Sequence, residues 1–160
     1  MKPVAERIPS SLEDAYRRTE FRVADRGWSF VLLVDQPSSI LASCHEAFGV
    51  TQSAYITAWN PRSEPTALEI NQSAQLRLEA ELTAAGLPFL RGEGVDPSGS
   101  WPGEPSLLVL GIPGDDAQRL GQSYGQNAIV VAGRDAVVRL VVLARGPGQL
   151  AMEAGREMDS

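Results

Sequence analysis

Residues 54–88 read AYITAWNPRSEPTALEINQSAQLRLEAELTAAGLP, and the reading of this stretch decides the fold class. Ala54 to Trp59 reads as a strand, rich in aromatic and β-branched residues. Pro61 stops it and biases Asn60 toward extended geometry. Thr66-Ala67-Leu68-Glu69 has the pattern of a capping box, in which hydroxyl and carboxylate satisfy free N–H groups reciprocally. Ala67, Ile70, Ala74, Leu78, Leu82 and Ala85 then recur at helical spacing and predict one apolar stripe. Gly86 stands where a left-handed residue ends a helix, and Pro88 prevents continuation.

Upstream, Ser10 or Ser11 can cap a short helix running to Arg18. Glu20 to Ala24 and Trp28 to Val34 read as strands joined by the hairpin chemistry of Asp25-Arg26-Gly27. Pro37-Ser38-Ser39 opens a helix with Ile40, Cys44 and Phe48 on its stripe, which leaves His45 pointing to solvent. Downstream, Leu87 to Arg91 reads as a short strand and Gly92 to Pro105 as a long loop. Ser106 to Gly111 is a strand, and Pro113 to Gly125 a helix. Asn127 to Ala132 and Ala136 to Leu143 form a hairpin around Gly133-Arg134-Asp135. Strands joined by helices pair in parallel and strands joined by tight turns pair antiparallel. The expectation is an α/β (α+β) chain with one mixed sheet and helices packed on it. Residues 1–145 make a single domain, and 146–160 a flexible tail.

The 160 residues carry a net charge of -6, which disfavours partners recognised through phosphate, so nucleic acid is not expected. Arg17, Arg18, Arg22 and Arg26 are interleaved with Glu13, Asp14, Glu20 and Asp25 and read as a solvated face. Cys44 is the only cysteine and His45 the only histidine. An intrachain disulfide is therefore impossible, and neither a Cys/His metal site nor a Ser-His-Asp triad is well served. No secretory pattern or membrane-length apolar run is visible, and a cytoplasmic location is the expectation.

The string Ile56-Thr57-Ala58-Trp59-Asn60-Pro61, followed by Ser63 and Asn71, resembles the signature of a bacterial domain-of-unknown-function family, number 3293. Tyr16-Arg17-Arg18-Thr19, then Trp101, Glu104 and Ser106, then Gly125-Gln126-Asn127-Ala128 extend the resemblance from about Tyr16 to Leu143. It implies an α/β domain with a shared polar cluster. It brings no activity, substrate or cofactor.

The residues themselves point to one place. Asn60 ends a strand ahead of a helix, the end at which α/β sheets bind ligands. Ser63 shares its loop, and Asn71 lies one turn into the helix, where its carboxamide can turn back toward Asn60. Such groups offer donors and acceptors without charge. Glu104 starts a strand after a loop long enough to cross the sheet edge, and is the best available general acid or base. The geometry predicts that Asn60, Asn71 and Glu104 meet. Trp101, Ser106, Gln126 and Asn127 are the further ligand-binding candidates, with Trp101 covering the site. The leading expectation is a domain that binds a small polar ligand, nucleotide-like or sugar-like. The alternatives are a protein–protein adaptor anchored by Trp101 and a hydrolase using Glu104. No metal is expected.

Overall fold

The computed structural model of the protein describes residues 10–143, so the expected tail at 146–160 lies outside them. Four α-helices, α1 (Ser10–Arg18), α2 (Ser39–Phe48), α3 (Leu68–Ala84) and α4 (Gly114–Ser123), accompany seven strands. These are β1 (Glu20–Asp25), β2 (Trp28–Leu32), β3 (Ser53–Ile56), β4 (Phe89–Val95), β5 (Glu104–Leu110), β6 (Ala128–Ala132) and β7 (Arg139–Val142). The class is α+β, with one sheet in the order β2-β1-β4-β5-β3-β6-β7.

The expected parallel neighbours do not occur: every pairing in the sheet is antiparallel. Helix α3 carries the chain from β3 to β4, but β5 lies between them; α4 carries it from β5 to β6, but β3 lies between them. Strands joined by a helix thus run parallel without touching. The β3-α3-β4-β5-α4-β6 unit is the split βαβ arrangement of ferredoxin-like folds, which fixes an architecture and no function.

The sheet curls until its edges meet. Beyond β2, Pro37 bridges Val137 ahead of β7. Asp35 N donates to Val138 O at 2.6 Å, and Val138 N to Gln36 O at 3.1 Å. The curl also shows across the inner face. Three strand spacings separate β3 from β1, roughly 14 Å in a flat sheet. Yet the Tyr55 hydroxyl on β3 donates to the Arg22 carbonyl on β1 at 2.7 Å. Gly92 permits this passage, because a Cβ there would run into that carbonyl and the Tyr55 hydroxyl. Gly92 and Gly94 therefore belong to β4, paired with Ser106 and Glu104, and the long loop shrinks to residues 96–103.

Helices α3 and α4 cover the outer face, where Leu78 and Leu82 meet Ile56, Leu107 and Ala117. Helix α2 lies on the inner face and plugs one mouth of the curl, with Leu41 and Cys44 against Leu110, Ala132 and Val138. His45 is buried rather than exposed, because its Nε2 lies 2.7 Å from Ser53 Oγ and its polar edge is satisfied. Ile40, expected on the core stripe, is half exposed.

The α3 stripe is also rotated: Asn71, Ala74, Gln75, Leu78 and Leu82 are buried, while Ile70 is exposed. The capping box does not form. The Thr66 N–H is taken by Asn60 Oδ1 at 3.1 Å, and the Thr66 hydroxyl turns back to Glu64 O. The helix begins one residue later, with Ala67 at the cap position.

Leu78 is fully buried, whereas Leu76 is 66% exposed on the same helix. Leu78→Ala is expected to lower unfolding free energy by about 2–5 kcal/mol and Leu76→Ala by less than about 0.5 kcal/mol. Urea denaturation of the two variants checks this, and equal losses would contradict the packing of α3.

Candidate functional site

Three chain segments converge at the mouth of the curl opposite α2, and Asn60 is where they join. Its backbone is left-handed (φ 45°), as are those of Arg62 (φ 61°) and Ser63 (φ 60°) in the tight turn that follows. Non-glycine residues seldom adopt this conformation unless their surroundings hold them there. Here they are held. Asn60 N donates to Asn71 Oδ1 at 2.9 Å, and Arg62 N donates to Gly125 O at 2.7 Å.

The Asn60 side chain is used at both ends. Its Oδ1 accepts from Asn71 Nδ2 at 2.8 Å and from Thr66 N, and its Nδ2 donates to Glu104 Oε1 at 3.2 Å. Asn71 is equally committed, since Nδ2 also reaches Thr66 O at 3.2 Å. Asn60, Asn71 and Glu104 therefore meet, as the sequence geometry predicts. The two amides form a brace; Glu104 is the member of the trio with a charge to offer. Burial pushes its carboxyl above the ordinary 4.5, and the Asn60 amide opposes that rise.

Glu104 faces a cavity of about 570 Å³. Its inner wall is the apolar face of the sheet: Phe21, Tyr55, Val130 and Leu140. Leu12, Ala15 and Tyr16 on one face of α1 cover one side, and Trp101 and Pro102 of the 96–103 loop cover another. The polar groups gather at the Asn60 end, with Thr57, Ser63 and Gln126 nearby. No lysine, arginine, histidine or second carboxylate lines the cavity among the described residues.

The remaining candidates sort by what their polar atoms do. Ser63 Oγ lies 3.1 Å from the Tyr16 hydroxyl and accepts from Asn127 Nδ2, also at 3.1 Å. Asn127 is thus a buried support for Ser63 and does not line the cavity. Gln126 does line it, and its Nε2 holds the carbonyls of Trp59 and Tyr124. Ser106 lines the wall, its hydroxyl bonded to Glu104 O at 2.9 Å. Trp101 is half-buried in the cavity wall. Asp96, whose carboxylate accepts from Ser98 and Ser100, ties down the loop that carries it.

Sequence reasoning missed Tyr16, Trp59 and Thr57. Thr57 fastens the strand ends, its hydroxyl donating to Pro105 O and accepting from Trp59 N. Tyr16 was legible in principle, because Leu12, Ala15 and Tyr16 repeat at helical spacing. Burial pushes its hydroxyl above the usual tyrosine range; the Ser63 bond opposes this and the Glu104 charge adds to it. Among the described residues, no cluster of His, Cys, Asp and Glu could hold a metal ion.

Asn71→Ala removes the acceptor for Asn60 N and a donor to Asn60 Oδ1 together. It is expected to cost about 1–3 kcal/mol of stability, because buried partners are left unpaired. Chemical denaturation reads this directly, and a loss under about 0.5 kcal/mol would contradict the brace.

Comparison with known proteins adds little chemistry. No curated protein and no solved structure matches the chain. A family model does match, over the stretch that holds the Asn60 turn, α3, the β4–β5 hairpin with Glu104, and α4. Through residues 56–129 the chain is similar to the family described as protein of unknown function (DUF3293).

Proposed function

We propose that this chain is a small-molecule-binding domain whose ligand occupies the open mouth of the curled sheet. The observation that carries the reading is the cavity itself: about 570 Å³, largely apolar, with its polar groups converging at one end. Ligand pockets have this size and this division of labour, the apolar wall supplying affinity and a few fixed polar groups supplying orientation. The amide brace supports the reading because it fixes Glu104 at the polar end without help from a ligand.

The lining narrows the expected ligand. A sugar presents hydroxyls on every side and would leave most of them against apolar wall. A nucleotide phosphate would find no cation among the described lining residues. A flat, ring-bearing body with one polar end fits better, as the base portion of a nucleoside would. A hydrolase reading has Glu104 but no second carboxylate in the wall to share the work. An adaptor reading would need Trp101 to face outward, whereas it contributes to the cavity wall. We place the protein in the cytoplasm, a reading supported by a single buried thiol at Cys44 that has no cysteine to pair with.

Ala15 on α1 is half-buried and lines the cavity from the helix rather than the sheet, so Ala15→Trp should fill the space without disturbing the sheet. Ring-bearing fragments at millimolar concentration are expected to shift the indole N–H resonances of Trp59 and Trp101 in the wild-type protein and not in Ala15→Trp. Fragments that leave both indoles unmoved, or that bind the filled variant equally, would overturn the proposal.

A further inference from the structure

We infer that the ligand of this cavity is an organic cation, an amine carried on an aromatic or similarly apolar body. The inference rests on the binding reading above and adds the chemistry of the ligand. Three observations carry it. The first is charge. Glu104 is the one charged side chain in the lining among the described residues, and Asn60 Nδ2 at 3.2 Å is the hydrogen-bond donor given to its carboxylate. A carboxylate within a largely apolar wall is stable as an ion only when it is paired. Among the described residues no lysine, arginine or histidine lines the wall to do this, which leaves the counter-charge to the occupant.

The second observation is aromatic content. Phe21, Tyr55, Tyr16, Trp59 and Trp101 all line the cavity. That is half of the ten aromatic residues in the sequence, gathered around one carboxylate. Aromatic faces attract cations through the ring quadrupole, and desolvated aromatic walls favour alkylammonium groups in particular. The third is the fixed geometry. Both ends of the Asn60 amide are committed, so the carboxylate is held in place before any ligand arrives. An ammonium N–H would then donate to Glu104, its hydrocarbon body lying against Phe21 and Val130. An anionic ligand would meet the Glu104 charge with nothing to offset it.

The test uses matched trios that carry an amine, an alcohol or a carboxylate on one scaffold: phenethylamine, phenethyl alcohol and phenylacetate, with their indolyl and naphthyl counterparts. Affinity is read at neutral pH from the Trp59 and Trp101 indole resonances, in the wild-type chain and in Glu104→Gln, with the melting temperature of each protein recorded to confirm folding. The expected result is that amines bind about tenfold or more tightly than the matched alcohols, and carboxylates least. In Glu104→Gln the ratio of amine to alcohol affinity should fall at least as far. Amines no tighter than alcohols, or an amine advantage that survives Glu104→Gln, would overturn the cation assignment while leaving small-molecule binding intact. No response to any member of any trio would overturn both.

Discussion

A single carboxamide joins the end of β3, the start of α3 and the first residue of β5. Asn60 Oδ1 receives Asn71 Nδ2 and Thr66 N, and Asn60 Nδ2 reaches Glu104. A primary amide is suited to this place because it donates and accepts through adjacent atoms without carrying charge. Substitution by Asp would keep the acceptor but set a second negative charge against Glu104, and Ala would leave three segments without a common partner. The left-handed residues of the adjoining turn, Asn60, Arg62 and Ser63, are held by two further bonds, Asn60 N to Asn71 on one side and Arg62 N to Gly125 on the other.

Around that joint, the curl of the sheet makes the cavity. An antiparallel sheet with helices on one face would be a flat platform; here the edge strands meet at Pro37 and Val137, and the inner face closes on itself. The enclosed space has two mouths. Helix α2 fills one with Leu41, Cys44 and the bonded pair His45 and Ser53. The other is left to α1, which has no buried residue of its own and lies over the opening on the Leu12, Ala15 and Tyr16 face. Its anchors are polar: an exposed ion pair from Arg17 to Asp35, and the bond of the Tyr16 hydroxyl to Ser63. Exposed ion pairs contribute little stability. The cover of the cavity is therefore held more weakly than its walls.

Element types were legible because local chemistry set them: Gly86 at a left-handed helix end and Asp25-Arg26-Gly27 in a hairpin; the extended backbone expected of Asn60 before Pro61 was wrong, because Asn71 Oδ1 takes its N–H and holds it left-handed. The meeting of Asn60, Asn71 and Glu104 was legible for a related reason, since a strand end and a helix start adjoin in sequence and a returning strand must pass near them. Long-range pairing was not. Nothing local in β3 or β4 reports that β5 will insert between them, and so the parallel neighbours expected from helical connections were wrong. Gly92 looked like loop because the reason for glycine, the close approach of the Arg22 carbonyl and the Tyr55 hydroxyl, lies across the sheet. Thr66 looked like a cap because the group that takes its N–H in place of Glu69, the Asn60 amide oxygen, is six residues away. His45 looked exposed because Ser53, which makes its burial tolerable, belongs to another element.

The central claim is that the fold holds the Glu104 carboxyl inside an apolar cavity, ready for a ligand. Titration of its side-chain carboxyl carbon by NMR tests this most directly. The account predicts a midpoint above the ordinary 4.5, because desolvation outweighs the single amide bond. A midpoint at or below 4.5 would contradict it, since it would place the carboxyl in water or beside a cation that the described residues of the cavity wall do not supply.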